Sequence, residues 1–322
     1  MRIKINLKIL FLFGVLTLFL LNTMSAPVFA AEKKPVSVRI SALGGFDNNS
    51  GLNSKRKGDF FAQESANVLY KRLLDRKSQL RLSYSGLNVN YFEATDQNIL
   101  SNEVGAGISY LLTAATILEM DYSFQYLDFL RNDPATTYQN DIRTGFRQKI
   151  GSRWNLKGGF TFSRKDYENK KLRQADGIFS LDDERADGRY SLDSQLMYKF
   201  SKSVVLNAGT VIYWNDSNDQ FHDNYDTESY KFYTGFSWQI NPKWSSSARV
   251  SYEAREYDSR PIIGSTDTFQ SDDTYSANLV LNHKLSSNMT VGSSYTYRQK
   301  KSNEPSQKYS GSLTTLGLYY SF

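Results

Sequence analysis

Apolar and polar residues alternate with a period of two along most of the chain beyond residue 35. In the segment 141–150, Ile142 and Phe146 fall on one face while Asp141, Arg143 and Arg147 fall on the other. Because successive side chains of a β-strand point to opposite faces, this pattern predicts strands. No stretch after the amino-terminal leader matches the helical period comparably.

The alternating runs predict fourteen strands joined by turns of two lengths. Six connections are tight, as in "KIGSRWNL", and seven are longer and polar, as in "FDNNSGLNSKRKG" and "YENKKLRQADGIFSLDDERAD". An even strand number puts both ends of the chain on the side of the tight turns. The predicted strands are 36–46, 59–71, 78–92, 98–112, 116–131, 136–150, 153–167, 186–200, 203–215, 226–240, 243–257, 271–285, 288–300 and 309–322.

The strand lengths favour a membrane barrel over a soluble β-sandwich. Sandwich strands usually run about five or six residues, and most of these runs are twelve or longer. Aromatic residues near the strand ends are typical of interfacial girdles. Since lipid cannot satisfy backbone groups, the sheet must close. We therefore predict an all-β fold, a transmembrane antiparallel up-and-down β-barrel of about fourteen strands. The girdle candidates are Trp154, Trp214, Trp238, Trp244 and Tyr252.

The first thirty residues have the pattern of a cleaved secretory signal peptide. Arg2, Lys4 and Lys8 precede an apolar run from 9 to 21, and small residues at Val28 and Ala30 favour a cut ahead of Ala31. The alternative is a transmembrane anchor, but the apolar run is shorter than the roughly 20 residues that a membrane-spanning helix needs. The predicted division is a signal peptide at 1–30 and a barrel at 31–322, with only a few residues between the cut and the first strand.

Charge and cysteine content narrow the function classes. Without the three bases of the leader, 36 Lys and Arg stand against 33 Asp and Glu, a net charge of +3. This balance gives no support to nucleic-acid binding, which usually needs a clustered basic face. The chain has no cysteine, so neither a disulfide nor a lipoprotein anchor is expected.

The carboxyl-terminal strand is the most apolar alternating run. Leu318, Tyr320 and Phe322 share one face and resemble the terminal signature by which barrel-assembly machinery recognises outer-membrane proteins. We expect this strand to close the barrel against 36–46. The expected partners are therefore outer-membrane lipid and the assembly machinery, in the bacterial outer membrane with both termini periplasmic.

Charged residues in the middle of strands predict the pore lining. Arg or Lys facing lipid near the midplane costs about 2–4 kcal/mol, so these side chains should point into the lumen. They would either pair across the barrel and plug it, or line a polar path with a weak anion preference. The candidates are Arg39, Arg81, Glu119, Asp121, Arg143, Arg147, Lys157, Asp193, Lys231, Arg249, Glu253 and Arg298.

No residue set supports catalysis or a metal or cofactor site. His283 alternates with leucines beside a tight turn, so we expect it on the lipid face. His222 lies in an acidic loop with Asp219, Asp223 and Asp226, but the spacing does not match a calcium-binding loop. We interpret this loop, and the acidic group Asp182, Asp183, Glu184 and Asp187, as solvated loops.

The segment "GGFDNNSG" followed by "GDFFAQESANVLYKRLLDRKSQLRLSYS" resembles the opening of a superfamily of porin-like outer-membrane β-barrels. The turn-plus-Trp pattern in "NPKWSSSARVSYEAREYD" is similar too, so the likeness covers nearly all of the chain after the leader. The resemblance implies a barrel architecture, and some relatives accompany exopolysaccharide export systems. It implies no catalytic residues.

Two functions follow as hypotheses. The first is a narrow aqueous channel, either a porin-like diffusion pore or an export conduit, with a polysaccharide or small anionic solutes as cargo. The second is a non-conducting surface barrel whose loops bind a partner or stabilise the envelope. Whether the segment 168–186 constricts the pore, and the number of associated copies, are left open by the sequence.

Overall fold

A closed β-barrel is built by fourteen antiparallel strands in the computed structural model, which describes residues 35–52, 57–130, 136–221 and 225–322. The predicted leader lies outside the described residues. The strands are β1 Val36–Asp47, β2 Asp59–Leu73, β3 Ser78–Tyr91, β4 Ile99–Thr113, β5 Thr116–Phe129, β6 Thr137–Ile150, β7 Trp154–Arg173, β8 Phe179–Lys199, β9 Val204–Ser217, β10 Thr227–Gln239, β11 Trp244–Pro261, β12 Phe269–Lys284, β13 Met289–Ser302 and β14 Tyr309–Ser321. This confirms the predicted fold class.

Each strand pairs with its neighbours in chain order, and β14 pairs with β1 to close the sheet. The closing register runs from Arg39 opposite Ser321 to Asp47 opposite Leu313. The backbone N–H of Phe322 donates to the carbonyl oxygen of Val38 at 2.9 Å. The expected pairing of the last strand with the first is therefore confirmed.

Among the described residues, two short 3₁₀ turns, Thr95–Gln97 and Pro305–Gln307, lie in connections between strands. No helix in the described part of the chain has the length and apolarity that crossing a membrane requires.

The predicted boundaries are wrong at β7 and β8. The segment 168–186 was expected to be a loop, but β7 continues to Arg173 and β8 begins at Phe179. The register shifts between Asp166 and Arg173, where Asn169 adopts a φ of 60°. These bulges let a charged sequence without clean alternation continue as a long hairpin, which is why the pattern did not predict it.

The interior of the barrel is polar. Within the described segments most buried side chains are polar or charged, including Asp47, Asp59, Arg185 and Asp272. Large apolar side chains are instead exposed, for example Leu118, Met120 and Leu316. This inverted arrangement is that of a barrel whose outer surface contacts lipid.

Candidate functional site: the pore wall and the membrane-facing surface

Strand alternation divides the side chains into an outer and an inner face. On β5, Leu118, Met120 and Tyr122 are exposed on the outer face, so Glu119 and Asp121 belong to the inner one. The same division and the strand registers place all the predicted pore residues on the inner face: Arg39, Arg81, Glu119, Asp121, Arg143, Arg147, Lys157, Asp193, Lys231, Arg249, Glu253 and Arg298.

A network of charges lies near the tight-turn end of β3, β5 and β6. Nη1 of Arg81 donates to Oε1 of Glu119 at 2.8 Å, and its Nη2 donates to Oδ1 of Asp121 at 2.7 Å. Arg147 also donates to Glu119, which therefore holds two guanidinium groups. Charge-assisted hydrogen bonds of this kind fix the side chains against the wall.

Glycines on the strands between the partners make room for these side chains. Arg81 reaches Asp121 over β4, where a Cβ on Gly107 would collide with the Asp121 carboxylate. Arg143 pairs with Asp193 over β7, where a Cβ on Gly159 would lie 2.6 Å from Cζ of Arg143. The pairs can thus lie flat along the sheet.

The ion pairs of the inner face run along the wall. Arg298 pairs with Asp47 at 3.1 Å across β14, and Lys231 pairs with Glu253 on the adjacent strand at 3.7 Å. Every inner-face ion pair among the described residues joins strands at most two apart in the barrel order. The sequence left open whether the charges pair across the lumen; in the described segments they do not.

Several inner-face bases have no acidic partner. Arg39, Lys157, Arg249 and Arg189 form no ion pair within the described residues, although Arg189 was not predicted as a pore residue. Glu103 and Asp141 have no basic partner there, and they lie on β4 and β6. Among these six residues four bases stand against two acids, so the unpaired charge of the described inner wall is positive on balance.

Aromatic side chains on the outer face form two belts. Trp154, Trp238 and Trp244 lie at the tight-turn ends of β7, β10 and β11, within one residue of the strand end. In a second belt, Trp214 on β9 and Tyr252, midway along β11, lie about eight to ten residues from the tight-turn ends. Nε1 of Trp214 donates to Glu228 at 2.8 Å. The second belt also contains aromatic residues that were not predicted: Tyr138, Tyr190, Tyr230 and Tyr275. Of the residues in the terminal signature, the rings of Tyr320 and Phe322 contact each other at 4.7 Å between centroids on the outer face.

One part of the outer face departs from the apolar pattern. Glu64 is exposed on β2, on the same face as Phe60, with Ala42 and Asn88 opposite it on the two neighbouring strands. The amide nitrogen of Asn102 on β4 is buried without a partner. Alternation places Glu64 toward lipid, an assignment that the sequence pattern did not include.

A cluster of buried arginine and aromatic side chains lies at the end of the barrel that carries the long connections, next to β7 and β8. Arg185 donates to Asp187 at 2.8 and 2.6 Å, and its guanidinium lies 3.2 Å from the ring centroid of Tyr225. Arg173 pairs with Asp219 at 3.2 Å. Asp187 and Asp219 were expected in solvated loops, and that expectation is wrong because each is buried against an arginine. Asp182, Asp183 and Glu184 likewise belong to β8.

One of the two histidines, His283, lies among the described residues. The ring of His283 contacts that of Trp244 on the outer face, 4.2 Å between centroids, next to a tight turn. His222 and Asp223 lie outside the described residues. The described contact of His283 is therefore with an aromatic ring and not with an acid or a nucleophile.

Comparison with known proteins supports the architecture. No protein-family model matches the sequence, and no curated protein matches it significantly. The outer membrane channel DcaP of Acinetobacter baumannii superimposes with a TM-score of 0.56 at 9% identity, covering 89% of this chain and 96% of that one. OmpT, an outer membrane protein of Vibrio cholerae, gives 0.52 at 10% identity, covering 91% and 99%. The chain thus has the fold of these outer-membrane β-barrels.

Proposed function

We propose that this protein is a channel of the bacterial outer membrane that passes solutes through its lumen and prefers anions. The observation that carries the proposal is that the inner-face ion pairs lie along the wall instead of across it. A barrel of fourteen strands is intermediate between filled eight-stranded barrels and open sixteen-stranded porins, so an open path depends on where the inner side chains lie.

The anion preference follows from the unpaired bases. Arg39, Lys157, Arg189 and Arg249 leave positive charge on the inner wall, and rings of Arg and Lys favour anions in pores. No catalytic role is part of the proposal. Polysaccharide export, one of the hypotheses from the sequence, is compatible with this lumen.

Electrical recording tests the channel. Purified protein inserted into planar bilayers is expected to give discrete conductance steps and, under a salt gradient, a reversal potential of the sign that marks anion selectivity. The matched variant Glu119→Gln removes one lumen carboxylate and should move the reversal potential further in that direction. Repeated insertions without conductance would refute the channel.

Cysteine labelling tests the orientation, because the chain has no cysteine of its own. We propose that both termini and the tight turns are periplasmic, as short turns are in outer-membrane barrels. In intact cells a membrane-impermeant maleimide should label Asp176→Cys, between β7 and β8, and should not label Ser287→Cys, between β12 and β13. The reverse labelling would show that the orientation is wrong.

A further inference from the structure

The same arrangement of arginine and tyrosine occurs three times on the inner wall. Arg39, Arg189 and Arg249 each begin an Arg-x-Ser triplet within a strand. In each case a tyrosine lies directly opposite the serine on the neighbouring strand: Tyr319 opposite Ser41, Tyr213 opposite Ser191 and Tyr233 opposite Ser251. The guanidinium carbons lie 4.7, 4.6 and 4.9 Å from the respective ring centroids.

A fourth in-strand triplet shows that the tyrosine sets this behaviour. Ser83 of the Arg81 triplet faces Gly105 instead of a tyrosine, and Arg81 reaches over β4 to two carboxylates. Arg81 is half-buried, whereas Arg39, Arg189 and Arg249 are all exposed. Stacking on an aromatic face leaves the guanidinium N–H groups at the ring edge free to donate into the lumen.

The three arginine–tyrosine pairs rise in steps around half of the barrel circumference, because β1 and β8 lie seven positions apart in the ring of fourteen strands. They lie on β1 and β14, then β11 and β10, then β8 and β9, which follow one another around the wall. The arginines are three, five and ten residues from the tight-turn ends of their strands. With a tilted strand rising about 2.5 Å per residue along the axis, the pairs span about 17 Å of height.

This arrangement suits a ligand that carries several oxyanions. Arginine binds carboxylates through two parallel hydrogen bonds. Successive arginines are three or four strands apart, which is roughly 14–19 Å sideways before their offset along the strands is added, so a small anion reaches one at a time. Ser191 and Ser251, two residues beyond their arginines, present hydroxyls to the same face that can bond a sugar hydroxyl, whereas the hydroxyl of Ser41 is already bonded to that of Ser65 at 2.7 Å.

We propose that the three pairs form a binding track for carboxylated oligosaccharides, on the premise that the proposed channel is open. A chain of acidic sugars long enough to touch two pairs gains affinity because its second contact is intramolecular. Glu103 and Asp141 lie on β4 and β6, away from the track, so their repulsion directs a carboxylated chain toward it.

Block of the ionic current tests the track. Oligogalacturonate of medium length should block at a concentration at least roughly tenfold lower than galacturonate monomer, since only the oligomer is multivalent. A neutral maltodextrin of the same length should block weakly. Equal block by monomer and oligomer, or by maltodextrin and oligogalacturonate, would overturn the track while leaving the channel intact. Failure to conduct at all would refute the channel instead.

Variants locate the site. Arg189→Gln and Arg249→Gln should each weaken oligogalacturonate block several-fold. Arg249→Lys should retain the reversal potential but lose block, because lysine keeps the charge without the paired donors. Arg76→Gln is the matched control, since Arg76 begins an Arg-x-Ser triplet in the turn between β2 and β3. Unchanged block in both glutamine variants would contradict the proposal.

Discussion

Gly107 on β4 lies beneath the carboxylate of Asp121 on β5, with no space between them for even a methyl group. The absence of a side chain at this position is what lets Asp121 fold down and accept the hydrogen bond of Arg81. The ion-pair network of the wall therefore depends on a residue that carries no charge.

Substituting Gly107 by alanine is expected to destabilise the barrel. The methyl group must displace Asp121 from Arg81, and overpacking of this kind costs about 1–3 kcal/mol in the free energy of unfolding. Urea unfolding in detergent micelles measures this change in the free energy of unfolding. Gly44→Ala is the control, because a Cβ there meets no atom within 4 Å. An equal effect at both positions would contradict the explanation.

Replacing Glu64 by leucine is expected to stabilise the folded protein. Glu64 lies nine residues from the tight-turn end of β2, at the level of the second belt, where a charge facing lipid costs at most about 1 kcal/mol, so we expect a gain below that value. Unfolding in lipid vesicles gives the value. Glu256→Leu, also outward but beyond the belt residue Tyr252, should change little. A loss of stability in Glu64→Leu would mean that Glu64 has a favourable partner.

The turn between β2 and β3 contains Asp75, whose titration is expected to make the stability of the fold depend on pH. Its carboxylate accepts hydrogen bonds from the backbone N–H groups of Lys77 and Ser78 at 2.6 and 2.8 Å, which lowers the pKa of Asp75 below 3.8. A depressed pKa in the folded state means that the contribution to stability is complete above about pH 4 and is lost as the pH falls through the folded value.

The variant Asp75→Asn isolates this effect. Asn241 makes the equivalent bonds in the turn between β10 and β11 with a neutral side chain. Asp75→Asn should therefore fold. As the pH is lowered from about 5, the midpoint of its unfolding transition should decline less than that of the wild type. Parallel curves for the two proteins would rule out Asp75 as the titrating group.

Arg185 is expected to hold the hairpin of β7 and β8 in place. Arg185→Ala removes a buried bidentate pair and leaves Asp187 buried without it, a change that typically costs 3–5 kcal/mol. We expect trypsin to cleave at Lys170 or Lys171 in the variant much faster than in the wild type, as followed by mass spectrometry. Arg164→Ala, where the side chain is largely exposed, is the control. Equal cleavage rates would show that the hairpin is held by other contacts.

The sequence by itself determined the barrel, because a strand buried against lipid on one face and water on the other must alternate, and alternation is visible in one dimension. It also placed all the predicted pore residues on one face. It failed where alternation is broken, as in the bulged hairpin from Tyr167 to Asp187.

Only the tertiary structure decided which charges are satisfied and which are free. Arg81 and Arg249 begin the same Arg-x-Ser pattern, yet one faces Gly105 and reaches carboxylates while the other faces Tyr233 and stays exposed. The difference lies on neighbouring strands, whose register follows from closure of the whole sheet. Local pattern sets the face of a side chain, and strand pairing sets its partner.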